Sequence, residues 1–196
     1  MKLLIASNNQ HKIEEIKAVL NDKFDEITTL RDEGIDCDPE ENGETFLENA
    51  LIKARAVAKF TDKAVLADDT GLCVNALGGK PGIYSARYAG DFPCGKERHD
   101  SAANRRKLLA ELQNATDRSA HFQTVVVLLY PDGKLVTGEG KVYGRIIEQE
   151  QGTNGFGYDC IFYSTELHKT FADATTAEKL TVSHRSRALK DLLNKL

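Results

Sequence analysis

The chain has 196 residues, 41% hydrophobic and 29% charged, with a formal net charge of −4. This is ordinary for a globular protein with one sizeable core or two lobes sharing a sheet. Its acidic sign argues against duplex nucleic acid or an anionic membrane as the main partner, since both need a broad basic surface, while leaving room for a small anion in a local basic pocket.

Lys2–Ala6 reads as a first strand. Its apolar stretch is too short for a signal peptide. Lys12–Leu20 reads as a helix with Ile13, Ile16 and Leu20 on one face and Glu14, Glu15 and Lys17 outside. After a loop, a second helix is predicted over Thr45–Phe60, with Phe46, Ala50, Ala54 and Val57 inward, followed by a strand over Ala64–Asp68. This β-α-β alternation favours strands joined by helical crossovers. Gly78–Gly82 (GGKPG) must be a loop. Ser101–Gln113 is predicted helical, His121–Tyr130 a strand, and Pro131-Asp132-Gly133 the turn of an antiparallel hairpin whose second strand runs to about Ile147. A short strand over Tyr158–Tyr163 and a helix from about Ser183 to Leu196 complete a mixed α/β protein. No run approaches transmembrane length. The four cysteines, Cys37, Cys73, Cys94 and Cys160, are scattered without C-x-x-C spacing. Zinc is therefore not expected, and reduced thiols in the cytoplasm are.

Several segments carry chemistry. Asp68 and Asp69 close an apolar run where neutral turn residues are expected. Adjacent carboxylates repel unless a cation or strong donors are near. They suggest a divalent metal site, to which Glu40 could add a third carboxylate; a solvated acidic turn is the alternative. Ser7, Asn8, Asn9, Gln10, His11 and Lys12 lead from strand into helix, where free amides and the helix dipole favour an anion. The segment fits a phosphate cradle or an ordinary capped helix start. Asn49 and Lys53, one turn apart, can aim an amide and an ammonium at one site. Among the glycines of 152–157, Phe156 can stack on a flat ligand or tuck into the core. Lys179, His184 and Arg185 place cations where they oppose a helix dipole, which an electron-rich ligand would explain.

Together, SNNQHK, GETFLENA, LADDTGL, ALGGKPGIYSARY, GFGYD and VSHR, spread in order from Ser7 to Arg185, resemble the inosine triphosphate pyrophosphatase family, the dITP/XTP pyrophosphatases. The chain departs from the family pattern at Ser7-Asn8, where Thr-Gly is usual, at Asn154, where glycine is common, and at Cys160, where proline is usual. The resemblance implies an α/β fold with a mixed central sheet, flanking helices and two lobes of a single domain around an active-site cleft. It implies Mg²⁺-dependent hydrolysis of ITP, dITP and XTP to the monophosphate and pyrophosphate, and a homodimer. By that resemblance Asp69 is the proton acceptor and a metal ligand with Asp68 and Glu40. Lys12, Lys53, Thr70 and the first loop hold the triphosphate. Phe156, Asp159, Lys179 and Arg185 form the base site, and Gly157, Tyr158 and His184 also bind substrate. Lysine and arginine only donate, so they suit a six-carbonyl rather than adenine's amino group. Two other readings stay open: a related pyrophosphatase for modified pyrimidine or guanine nucleotides, and a nucleotide-binding regulator without chemistry.

Overall fold

A computed structural model describes residues 1–90 and 100–196. Cys94, and nearly all of the motif-free stretch at 91–100, lies outside the described residues. Twelve helices and strands of regular length are used below: β1 (Lys2–Ile5), α1 (Gln10–Leu20), β2 (Glu26–Thr29), α2 (Phe46–Val57), β3 (Ala64–Val74), α3 (Ser101–Glu111), β4 (Ser119–Leu129), β5 (Leu135–Ile146), β6 (Phe162–Ser164), β7 (Lys169–Thr170), α4 (Thr176–Val182) and α5 (His184–Leu193). The sheet order is β2-β1-β3-β4-β5-β6-β7, with β1 parallel to β2 and β3, and β6 antiparallel to β5 and β7. Residues group into two compact units, one of Met1–Asp69, Thr124–Lys141 and His184–Leu196, the other of Thr70–Gln123 and Val142–Ser183.

In the first unit, β1 and β3 are buried on both faces, as parallel strands between helical layers should be. Side chains alternate along a strand, so two cores result. Leu3, Ile5, Ala64 and Leu66 pack with Ile13, Ile16 and Leu20 of α1 and with Ala188, Leu189 and Leu192 of α5. Leu4, Ala6, Val65 and Ala67 pack with Ala50, Ala54 and Val57 of α2. The register pairs Leu4 with Val65 and Ile5 with Leu66.

β5 also alternates, and in this unit its buried positions include Gly138 and Gly140. A Cβ at Gly140 would overlap the His184 carbonyl and the Ala188 amide, and one at Gly138 would stand 2.7 Å from the Leu192 amide. Two missing side chains thus let the α5 backbone lie directly on the strand.

The second unit's core gathers Leu72, Val74, Leu108, Leu112, Val142 and Ile161 around an aromatic cluster. There the Phe122 and Phe162 rings lie 4.7 Å apart and the Phe162 and Phe171 rings 5.1 Å apart. The turn at Pro131–Gly133 forms as expected, with the Gly133 amide donating to Tyr130 O at 3.0 Å.

Three expectations are corrected. The Asp68–Asp69 pair does not end a strand, because β3 continues to Val74. The strand predicted from Tyr158 starts only at Phe162, because Tyr158–Ile161 turn, with Ile161 and Phe162 amides both donating to Tyr158 O. β2 replaces part of the loop predicted before the second helix, and α4 forms where no element was predicted. α4 announces itself by a capping box at Thr175 and Glu178, a Thr-x-x-Glu signature present in the sequence. The last helix begins at His184, as expected to within one residue, because Ser183 is extended with ψ 148°.

Candidate active site

α1 begins two residues earlier than its apolar stripe suggests, at Gln10. Asn9 caps it, its side chain accepting from the Lys12 amide at 3.2 Å, and its own amide donates to Ser7 Oγ at 3.2 Å. Ser7 is half-buried, and Asn8, Asn9, Gln10 and His11 are exposed. The start of this helix therefore faces solvent, as an anion cradle requires. The Lys12 side chain turns inward instead, to Asp68 Oδ2 at 3.0 Å.

The alternation that builds the two cores also decides the acidic pair. Asp68 follows Leu66 on the α1/α5 face, and Asp69 follows Ala67 on the α2 face. Their partners agree. Asp68 Oδ2 accepts from Lys12 of α1 and, at 3.4 Å, from both Nε and Nη2 of Arg185 of α5, whose Nη1 pairs with Glu15. Glu15, expected outside, is half-buried by this contact. Asp69 accepts from Asn49 Nδ2 at 3.1 Å and lies 3.6 Å from Lys53 Nζ, both of α2. The two carboxylates thus make their direct contacts with different helices.

Their electrostatics diverge accordingly. Burial alone would raise Asp68, but Lys12 and Arg185 outweigh it and hold the carboxyl well below the usual range. Burial raises Asp69, and the attraction of Lys53 and Lys12 does not compensate. Two adjacent carboxyl groups are thus pushed in opposite directions by their surroundings, a pattern found at acid/base sites and in structural ion-pair networks alike. Burial lowers Lys12 against the pull of Asp68, whereas Asp69, Asp68 and Glu41 together keep Lys53 raised despite its burial.

Asn49 is aimed by the loop before α2. Its Oδ1 accepts from the Gly43 amide at 2.9 Å, an approach only glycine permits, since a Cβ there would stand 2.6 Å from Glu48 Cβ. The Thr45–Glu48 capping box fixes the helix start behind it. The predicted sharing of a face by Asn49 and Lys53 is realised at Asp69. Glu40 is not gathered in: it is exposed, and among the described residues no three His, Cys, Asp or Glu side chains are placed to hold a metal ion. Its neighbour Glu41 instead meets Lys53 Nζ at 3.4 Å, the ammonium Asp69 also faces. Sequence reading missed Glu41 because neither glutamate lies on a periodic element.

In the second unit, Lys179 Nζ sits 2.7 Å from Asp159 Oδ2 and 5.0 Å from the centre of the Phe156 ring. Asp159 Oδ2 also accepts from the Phe156 amide at 2.9 Å, and Gly155, with φ +75°, leaves space for that carboxylate. Phe156 and Gly157 are half-buried, while Tyr158 is buried and donates to Ser85 O at 2.8 Å. Thr70, the unit's first residue, is half-buried. Of the residues expected to bind substrate, His184 and Arg185, 4% and 1% exposed, belong to the first unit, and Lys179 to the second.

The Ham1 family model matches residues 3–195. The chain belongs to the Ham1 family. A dITP/XTP pyrophosphatase from Clostridium perfringens is 46% identical across all of this chain and 97% of its own length. Another dITP/XTP pyrophosphatase, from Haemophilus influenzae, is 45% identical over 100% and 98%. The Ham1 protein structure from Staphylococcus aureus superposes with a TM-score of 0.83 at 43% identity, covering 97% of this chain and 95% of that one. These findings bear out the resemblance read from the ordered motifs and place the mixed α/β sheet among Ham1 folds. No helix among the described residues is long and apolar enough to cross a membrane.

Proposed function

We propose that this Ham1-family chain hydrolyses the non-standard purine nucleoside triphosphates ITP, dITP and XTP to monophosphate and pyrophosphate, clearing them from the cytoplasmic nucleotide pool as a homodimer. The observation that carries the reading is the buried Asp69 carboxylate, which accepts from Asn49 Nδ2 at 3.1 Å and lies 3.6 Å from Lys53 Nζ. A buried carboxylate of raised basicity is suited to take a proton from water. Water then attacks the α phosphorus, Asp69 accepts its proton, and the bond to the bridging oxygen breaks with its electron pair leaving on pyrophosphate. Lys12, Lys53 and Thr70, with the amides of the α1 start, hold the tail and stabilise the departing charge. Asp68 keeps Lys12 and Arg185 in place.

Mg²⁺ fits this donor set. It is usually held by one or two carboxylates, substrate phosphates and water rather than by an all-protein cage, so a substrate-free chain need not gather three acids. Asp69, with Glu40 or Glu41 of the preceding loop, would hold it. When bound, the ion neutralises phosphate charge and lowers the basicity required of Asp69. Phe156 stacks on the base, Asp159 orients Lys179, and Lys179 donates to the six-carbonyl.

The decisive assay is hydrolysis of ITP, XTP, GTP and ATP with and without Mg²⁺, resolving pyrophosphate from orthophosphate. Mg²⁺-dependent pyrophosphate release from ITP and XTP, well above that from ATP and GTP, is expected. Equal rates on ATP and ITP would refute the base preference, and binding without release would reduce the chain to a nucleotide-binding regulator.

A further inference from the structure

Arg105 of α3 takes no part in the roles assigned so far, yet its guanidinium is spent entirely on one loop. Nη1 donates to Gly157 O at 2.8 Å, 52 residues along the chain, while Nε and Nη2 donate to the two Glu150 oxygens at 2.7 and 3.3 Å. The side chain is only 16% exposed. A planar guanidinium gripped on one edge by a carboxylate cannot rotate, so its remaining edge presents a donor at a fixed position.

That donor meets a backbone that would otherwise be free to turn. Gly155 and Gly157 flank Phe156 with φ of +75° and +62°, conformations glycine enters and leaves cheaply. The peptide before the ring is fixed because the Phe156 amide donates to Asp159 Oδ2. Past the ring, Arg105 holds Gly157 O, and the next residue is tied through Tyr158 Oη to Ser85 O. Asn104, adjacent on α3, donates to that same carbonyl at 3.3 Å. One helix therefore secures the far side of the Phe156 loop through consecutive side chains.

We infer that Arg105, clamped by Glu150, is a positioning residue for nucleobase recognition: it fixes the peptide after Phe156 and thereby the plane on which a purine stacks. This rests on the proposed function for the identity of the ligand. Removing the clamp frees the glycine-flanked ring and weakens base binding, while the charges that grip the triphosphate belong to other residues.

The test compares full-length wild type, Arg105→Gln and Glu150→Gln, using inosine monophosphate and tripolyphosphate as probes. For Arg105→Gln the dissociation constant of inosine monophosphate and the KM for ITP should each rise about tenfold, equivalent to about 1.4 kcal/mol, with kcat within about twofold. Glu150→Gln should shift both in the same direction by less, and it carries the test if the arginine variant does not fold. Inhibition by tripolyphosphate, which has no base, should not change. Unaltered inosine monophosphate affinity in the folded variants overturns the inference. So does a parallel weakening of tripolyphosphate inhibition, which would mean general loosening. Failure of the proposed function looks different: wild type would bind inosine monophosphate yet release no pyrophosphate from ITP.

Discussion

Replacing each of the adjacent aspartates by asparagine should move stability in opposite directions. Asp68 is 2% exposed and ion-paired to Lys12 and Arg185. The change Asp68→Asn would leave two buried cations facing a neutral amide. Breaking a buried pair from one side costs about 3–5 kcal/mol, and a chain of this size loses roughly 2–4 °C per kcal/mol. Asp68→Asn should therefore lower Tm by on the order of 10 °C at pH 7. Asp69, 5% exposed, has its charged form disfavoured by burial that Lys53 does not offset. An asparagine in its place removes that charge and keeps a group able to hydrogen-bond Asn49, so Asp69→Asn should raise Tm while abolishing turnover and leaving nucleotide binding measurable.

The pH dependence follows from the same signs. Asp68, with a depressed folded pKa, contributes stability that is present above the unfolded carboxyl pKa and is lost only as pH falls through the folded value. Asp69, with a raised folded pKa, is least costly when protonated, and its penalty grows as pH rises from the unfolded value through the folded one. On acidification the Tm gain of Asp69→Asn should shrink first, and the deficit of Asp68→Asn should persist to lower pH. Calorimetric unfolding between pH 7 and pH 4 reads both. A loss of stability in Asp69→Asn as large as in Asp68→Asn would refute the assignment of separate environments.

Gly140→Ala forces a methyl into the His184 carbonyl and Ala188 amide of α5. It should cost about 1–3 kcal/mol and displace Arg185 from Asp68; a wild-type Tm and ITP rate would show that α5 does not depend on this close approach. The kcat/KM profile for ITP should rise with pH along a limb set by Asp69, because protonated Asp69 cannot accept a proton. Asn49→Ala, which removes a bond favouring the carboxylate, should move that limb higher, and an unshifted limb would argue against Asp69 as the base.

Much of this was legible because strong periodicity survives in the sequence. Ile13, Ile16 and Leu20, or Ala50, Ala54 and Val57, announce a buried helical face without knowledge of the partner. Asn49 and Lys53 could be assigned a common target from helical spacing alone. What escaped depends on tertiary contact. β2 is a four-residue strand, Glu-Ile-Thr-Thr, stabilised by its parallel pairing with β1 rather than by its own pattern. Arg105 looks like one more cation on a polar helix until Gly157 and Glu150 are brought to it. Glu15 sits one residue from Glu14, and only the arrival of Arg185 from the other end of the chain distinguishes them.

The acidic pair shows why composition at a site is weaker evidence than its phase. Read as two anions in a row, Asp68-Asp69 implies mutual repulsion relieved by a shared cation. Read with period two, the same dipeptide sends one carboxylate to the helices that carry Lys12 and Arg185 and the other to the helix that carries Asn49 and Lys53. Phase is set by register, here Leu4 opposite Val65 and Ile5 opposite Leu66. A slip of one residue would exchange every buried side chain between the two faces. Asp69 would then meet Lys12 and Arg185 and become a depressed, weakly basic carboxylate, while Asp68 would face Asn49. The hydrophobic cores that forbid that slip are thus what gives Asp69, and not its neighbour, the environment from which its proposed role as base is argued.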